Sequence, residues 1–400
     1  MRLPGWLAAG AASLAMALAL RVLTPVQTVG YDGAFYRAMT ESPWGGADRT
    51  LTAPYAFRIF PAWVLHFVPG PALGVYTVYT VGAETAAAAL LFAFLRARGL
   101  GPGAAGFGTG LFLTSWVNLR FALYNPIHID ATYYLAVAGA FWAMARKRDG
   151  WFLVFLLAGA LSREYFVALL GAWYFFRKTP GKLVDGPILL RGLALGALPV
   201  AAAVALRALI PAVNRGFDYA GHAVYFGRLF FLYWPRMVHA AFNVFGVGLF
   251  LVILDPRGAG RCLAANPGAA LYLGACVLFT AVGGADRCRI LFTAFPAVVL
   301  LAAQAVERRR AIYLRPGFLV FAAAVQLFLM RAYLPITPAN YRLHWWSTVS
   351  FRPEALLRQS WNRILLCGAA FSLVAAGSAL AASSAPGGRS RRGGGVPAKC

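Results

Sequence analysis

Residues Trp151 to Phe176 read WFLVFLLAGALSREYFVALLGAWYFF, an apolar run carrying Ser162, Arg163 and Glu164 at its middle. Read as one membrane span, it buries a charged pair at mid-bilayer, where an ionised side chain costs about 2.5–3.5 kcal/mol on insertion scales. It also places Arg177 and Lys178 across the membrane from Arg146, Lys147 and Arg148. Every later loop is then reversed, so that Glu307 to Arg310 and the arginines Arg389, Arg391 and Arg392 lie outside. Read as two half-length helices meeting at Ser162, the segment keeps both basic flanks on one side. All four lysines, Lys147, Lys178, Lys182 and Lys399, then fall in the cytoplasm with the later basic clusters. The positive-inside rule favours this re-entrant pair. Broken helices at membrane depth survive only where they line protein or a cavity, so Arg163 and Glu164 are predicted to face one.

Working outward from the pair, the chain reads as an all-α polytopic integral membrane protein. Of its 400 residues, 60% are hydrophobic and only 12% charged, whereas a soluble domain carries about 25% charged residues. Spans are expected at about 3–20, 72–95, 104–123, 129–145, 188–210, 237–254, 268–282, 288–306, 316–334 and 362–382, which makes about ten beside the re-entrant pair. Residues 57–68 are too short to cross and are read as lying along the interface. The loops at 25–56, 124–130, 211–236, 283–287 and 335–361 face outside, and both termini are cytoplasmic in an inner membrane. Residues 1–382 form one transmembrane domain, followed by a Gly-, Ser- and Arg-rich tail, 383–400, of disordered character.

The net charge of +24 does not indicate nucleic acid, because the basic residues punctuate spans and build no soluble basic face. Topology and anionic lipid head groups account for them. Five cysteines without CxxC spacing and five histidines without HExxH give no metal site and no disulfide framework. Gly101-Pro-Gly-Ala-Ala-Gly106 matches GxGxxG but follows no strand, and reads as small-residue helix packing.

Charge in the outer loops is the feature that composition leaves unexplained. The loop Tyr31 to Pro61 holds Asp32, Glu41, Asp48, Arg37, Arg49 and Arg58 among many aromatics. On this topology Asp32, Arg58, Asp130, Asp286 and Arg287 sit at the outer ends of spans, and Arg163 and Glu164 rise towards them. Outer arginine runs against the topology rule, and arginine binds phosphate bidentately. The excess points to an anionic, lipid-linked ligand, with head-group contacts as the plain alternative.

These residues form a pattern. Tyr31-Asp32-Gly33-Ala34-Phe35-Tyr36 is followed by Ser42-Pro43 and Tyr55-Ala-Phe-Arg58-Ile-Phe-Pro61. Then come Asn125-Pro-Ile-His-Ile-Asp130, Ser162-Arg163-Glu164 and Gly283-Gly-Ala-Asp286-Arg287. In layout this resembles the GT-C superfamily of polytopic glycosyltransferases and, more loosely, the first mannosyltransferase of GPI-anchor assembly. The resemblance implies a polyprenyl-phosphate-linked sugar donor, with mannose as a candidate, and a lipid, glycan or protein acceptor. It implies a site on the outer face with Asp32 as catalytic base. No acidic pair of the DxD type occurs in the first loop, so neither metal nor other cofactor is expected.

The chemistry fits that reading on its own terms. A sugar phosphate carries its leaving group. Transfer needs a base for the acceptor hydroxyl and cations for the departing phosphate. Asp32 is the candidate base. Its expected seat is a lightly buried loop at the membrane surface, where partial desolvation raises its pKa. Arg58, Arg163 and Arg287 are the candidate phosphate ligands, and Asp130, Glu164 and Asp286 the supporting acids. A single base displacing at C1 inverts the anomeric centre. Other roles stay open: a turn for Asp32-Gly33, a helix cap for Asp130, an internal ion pair for Arg163-Glu164 and a surface turn for Asp286-Arg287. Glu84, inside a span, is unassigned. A transporter or lipid flippase is the alternative function, and a polymerase or ligase of lipid-linked glycans shares the geometry.

Overall fold

The structure is a computed structural model that describes residues 4–22, 24, 27, 29, 31–43, 55–182, 184–210, 218–232, 234–283, 287–331 and 354–383. The regular elements among these residues are all helical. In chain order they are α1 (Gly5–Val22), α2 (Tyr31–Glu41), α3 (Phe60–His66), α4 (Ala72–Ala97), α5 (Pro102–Thr114), α6 (Phe121–Tyr124) and α7 (Asp130–Ala145). Next come α8 (Asp149–Ala160), α9 (Val167–Arg177), α10 (Gly186–Leu209), α11 (Tyr219–Leu232), α12 (Trp234–Phe245), α13 (Val247–Leu254) and α14 (Pro256–Ala265). The last are α15 (Pro267–Val282), α16 (Arg287–Phe292), α17 (Phe295–Arg308), α18 (Arg310–Tyr313), α19 (Pro316–Leu329) and α20 (Glu354–Ser383).

The segment around Ser162 folds back on itself. Arg163 takes an extended conformation (φ −153°, ψ 147°) between α8 and the 3-10 turn Glu164–Phe166, which ends the first helix. At the far end, the carboxylate of Asp149 at the start of α8 accepts a hydrogen bond from Trp173 Nε1 at 3.0 Å and pairs with Arg177 at the end of α9. Phe152 stacks on Trp173 with ring centroids 6.0 Å apart. In a continuous helix, Asp149 and Arg177 would stand about 42 Å apart at 1.5 Å per residue. Their contact makes the segment a hairpin, with Arg163 and Glu164 at its tip and the basic flanks together at its base.

Among the described residues three helices, α1, α4 and α10, are long and apolar enough to cross a membrane, or up to five if each of two bent pairs counts as one span. The bends are 108° between α12 and α13 and 109° between α14 and α15. Three stretches expected to be continuous are broken. The 104–123 stretch stops at Thr114, winds through a π-helical turn at 116–120 and resumes as α6. The 237–254 stretch breaks at Gly246, whose φ of +50° suits glycine. The 288–306 stretch breaks before α17, which starts with Pro296 in its first turn.

Side chains take up backbone groups at these breaks, as an apolar surrounding requires. Asn118 Nδ2 donates to the Phe112 carbonyl at 3.0 Å, Ser115 Oγ to the Val244 carbonyl at 2.9 Å, and the Val247 amide donates to Gln326 Oε1 at 2.9 Å. Close packing elsewhere uses small residues. A Cβ on Gly268 would lie 2.6 Å from the Ala172 carbonyl, where α15 crosses α9. In the Gly101–Gly106 run, Gly101 meets Glu307 and Gly103 meets Leu314, while Gly106 faces open space. The four described cysteines, Cys262, Cys276, Cys288 and Cys367, are buried and form no disulfide with one another. The tail from residue 384 lies outside the described residues.

The hairpin base yields a stability prediction. Asp149 accepts from Trp173 and pairs with Arg177 and Arg191. Asp149→Asn weakens these charge-assisted contacts and is expected to cost about 1.5–3 kcal/mol, read as a lower Tm in detergent. An unchanged Tm would mean that the pairing does not hold the hairpin closed.

Candidate active site

α2 supplies Asp32. Its buried face is Gly33, Tyr36, Met39 and Thr40, while Ala34, Arg37 and Glu41 face outward, a helical period. The Thr40 hydroxyl and the Tyr76 hydroxyl lie 2.8 Å apart, and the His66 ring meets the Thr40 carbonyl at 2.7 Å, which fixes α2 against α3 and α4. Asp32 therefore sits in the first turn of a packed helix, not in a loose outer loop. Gly33 is no turn residue either. A Cβ there would lie 2.9 Å from the Ile127 carbonyl, so glycine permits α2 to press on the 125–129 loop.

That contact delivers Asp32 to a buried network. Arg289 Nη2 donates to Asp32 Oδ2 at 3.0 Å, and Arg289 Nη1 donates to Asp130 Oδ2 at 3.1 Å and approaches the His128 ring at 2.9 Å. The other oxygen of Asp130 is paired with Arg163 from the hairpin tip. Beside it, Arg58 holds Glu164 in a two-pronged contact, Nη2 to Oε2 at 3.0 Å and Nε to Oε1 at 3.4 Å, and Arg207 approaches Glu164 at 3.7 Å. Aromatic faces line the cations: Tyr55 under Arg58 at 5.7 Å, and Phe121 under Arg289 at 5.5 Å. Arg289, Arg163, Asp130 and His128 are all at most 9% exposed.

The alternatives left open for Asp130 and for Arg163-Glu164 resolve here in their contacts. Asp130 is not a cap; the residue before α7 is Ile129, which makes no side-chain cap, and Asp130 is spent on Arg163 and Arg289. Arg163 and Glu164 do not close an internal pair; each reaches a different element. Of the expected residues, Asp32, Arg58, Asp130, Arg163 and Glu164 converge. Arg287 has other contacts among the described residues. It is 1% exposed and donates to Met237 Sδ at 3.6 Å and to the Phe226 carbonyl at 3.4 Å. Two positions along a helix turn a side chain by about 200°, so Arg289 faces Asp32 when Arg287 faces away. Asp286 and Asp48 lie outside the described residues. Arg207 and His128 also belong to the network and were not singled out beforehand. His128 carried a signal, standing two residues before Asp130 in the same short loop. Glu84 is fully buried in α4 beside Asn118.

The electrostatics of Asp32 differ from expectation. Burial alone pushes its carboxyl up, but Arg289, with help from His128, brings it down to about 2. Its charge is therefore secured by a specific cation, not weakened by desolvation. Burial, reinforced by Arg289, brings the His128 imidazole down to about 4, so the ring is neutral at pH 7 and can accept from Arg289. Among the described residues the network holds four guanidiniums, of Arg58, Arg163, Arg207 and Arg289, against three carboxylates, of Asp32, Asp130 and Glu164. Among the described residues no group of three or more His, Cys, Asp or Glu is placed to hold a metal ion. Cations outnumber anions among these side chains, and the Asp32 side chain keeps 19% of its surface exposed. No family model, curated protein or solved structure matches the chain.

The low pKa of Asp32 has a thermodynamic consequence. A group whose folded value of about 2 lies below its unfolded value of about 3.9 stabilises the fold fully above that unfolded value. This contribution fades as pH falls through about 2. Asp32→Asn is expected to remove that part of the acid destabilisation between about pH 4 and pH 2, measured by thermal unfolding across the range. Identical acid limbs for both proteins would show that Arg289 does not hold Asp32 in the folded state.

Proposed function

We propose that this chain is an integral-membrane glycosyltransferase of the GT-C type. It moves a sugar, with mannose as the first candidate, from a polyprenyl-phosphate donor to a hydroxyl of a lipid, glycan or protein acceptor. The observation that carries the reading is the Arg289 bridge: one buried guanidinium joins Asp32 of α2 to Asp130 of α7, with Arg163 and Arg58 in the same network. In this reading the chain has about ten spans and a re-entrant α8–α9 pair. The network lies at the extracytoplasmic face of an inner membrane, and both termini are cytoplasmic.

The proposed reaction is one displacement. The acceptor oxygen attacks C1 of the sugar and its proton passes to Asp32. The bond from C1 to the phosphate oxygen breaks, and the electron pair leaves with the phosphate, inverting C1. Arg289, Arg58 and Arg163 supply the positive charge that the departing phosphate needs. Binding and basicity are then coupled. Before the donor binds, Arg289 keeps Asp32 acidic. When a phosphate draws Arg289 to itself, burial acts with less opposition and Asp32 becomes a stronger base.

Transfer from a radiolabelled polyprenyl-phosphate sugar tests the assignment. Asp32→Asn is expected to lose about 10²–10⁴-fold in rate. Glu41→Gln should stay active, because Glu41 is spent on an exposed pair with Arg37 on the outer side of α2. An active Asp32→Asn beside a dead Glu41→Gln would move the base elsewhere. Full activity in both would favour the transporter reading. For topology, reporter fusions after Lys182 and at the C-terminus are both expected to read cytoplasmic, and two outside signals would refute the membrane placement of the hairpin.

A further inference from the structure

A second cation lies away from the Asp32 network. Arg120 ends the π-helical turn 116–120 and is 2% exposed. Its Nη1 donates to the backbone carbonyl of Arg331, just past the C-terminus of α19. That contact caps a helix end whose dipole favours positive charge, but it occupies only one part of the guanidinium. Nε and Nη2 are buried without a hydrogen-bond partner among the described residues. A guanidinium cannot shed its proton in a protein, and burying its N–H groups unsatisfied is costly. Among the described residues no acceptor reaches these two groups, so the site has room for one from outside.

Its surroundings indicate the kind of acceptor. Arg120 lines a small cleft with Met16 and Leu20 of α1, Thr114, Ser115 and Trp116, Leu327 of α19 and Met330 just past its end. The cleft offers about 10 Å³ to the centre of a water-sized group, room for one oxygen and not for a sugar ring. Its neighbours are apolar and outward-facing: Leu18 and Val22 on α1 are 66% and 79% exposed, and Leu327 and Phe328 on α19 are 39% and 40% exposed. A ligand seated here presents an anionic oxygen inward and hydrocarbon outward. Phe121, the next residue after Arg120, packs its ring under Arg289 at 5.5 Å, so the cleft adjoins the Asp32 network through one side chain.

We propose that the cleft between α1 and α19 binds a phosphate-bearing membrane lipid, with a phosphoryl oxygen on Arg120 and the chain along the exposed faces of the two helices. The proposal does not depend on sugar transfer; it needs only the guanidinium and the apolar walls. Arginine suits a phosphoryl group because its planar fork offers parallel N–H donors.

The test measures binding of farnesyl phosphate to the full-length chain in a neutral detergent, by native mass spectrometry. Farnesol and inorganic phosphate serve as controls for the chain and the anion alone. Arg120→Gln is expected to weaken farnesyl phosphate binding at least about tenfold. Leu327→Trp, which narrows the cleft and keeps the cation, should weaken it as well. Arg58→Gln, which alters the Asp32 network, should leave the Arg120-dependent part of this binding in place, whatever it removes at the Asp32 network. Competition by phosphatidylglycerol against farnesyl phosphate then separates a glycerophospholipid from a prenyl phosphate as the natural source. Equal binding by the parent protein, Arg120→Gln and Leu327→Trp would overturn the proposal, as would inorganic phosphate or farnesol binding as tightly as farnesyl phosphate. Loss of binding in Arg58→Gln alone would place the lipid at the Asp32 network instead. A lower Tm in Arg120→Gln with unchanged lipid affinity would leave Arg120 as a helix cap only, which also overturns it.

Discussion

Arg289 satisfies two carboxylates at once, Asp32 through Nη2 and Asp130 through Nη1. Charges this deep are tolerable only when paired, and removing one partner from a buried pair costs about 3–5 kcal/mol because the other is left uncompensated. The bridge therefore constrains everything attached to it. α2 must press on the 125–129 loop, which Gly33 permits. α7 must begin at Asp130. The hairpin tip must reach far enough for Arg163 to neutralise the second oxygen of Asp130. Glu164 then falls within reach of Arg58, whose segment leads into α3. Segments from both ends of the chain are held together by charge complementarity at one place.

The same economy applies to the backbone. Each break in an apolar helix frees amide or carbonyl groups: Asn118, within the first break, receives the Phe112 carbonyl, and at the Gly246 break Ser115 and Gln326 reach the Val244 carbonyl and the Val247 amide. Gln326 of α19 accepts the Val247 amide, and a Cβ on Gly246 would collide with that same Gln326 oxygen. The breaks are packed features. They leave the polar network at the hairpin tip, and the base of the hairpin is closed separately by Asp149, Trp173 and Arg177.

In the proposed reaction, the acid strength of Asp32 depends on occupancy. Desolvation pushes the Asp32 carboxyl up and Arg289 pulls it down. In the proposed reaction, an anion that recruits Arg289 shifts that balance towards basicity at the moment a base is required. The coupling follows from one guanidinium shared by two carboxylates and needs no movement of α2.

Much of this was legible in the residues. A charged pair centred in an apolar run, flanked by basic residues at both ends, requires either a buried charge or a fold-back, and the fold-back was the cheaper solution. Asp32, Arg58, Asp130, Arg163 and Glu164 stood out because charge is scarce in such a chain and each sat beside an apolar stretch. The breaks at Ser115 and before Pro296 were hidden, because the stretches around them stay apolar and the partner of the Ser115 hydroxyl, the Val244 carbonyl, lies on a remote helix. The choice between Arg287 and Arg289 was likewise hidden. Both follow the same Gly-Gly motif, and only the rotation of α16 against its neighbours turns one towards Asp32 and the other towards Met237. The acidity of Asp32 was out of reach for the same reason: its sign depends on a cation 257 positions away. Sequence by itself determined which residues could not remain alone in an apolar protein; the tertiary structure decided which of them met, because a side chain's direction is set by packing on all sides of its helix.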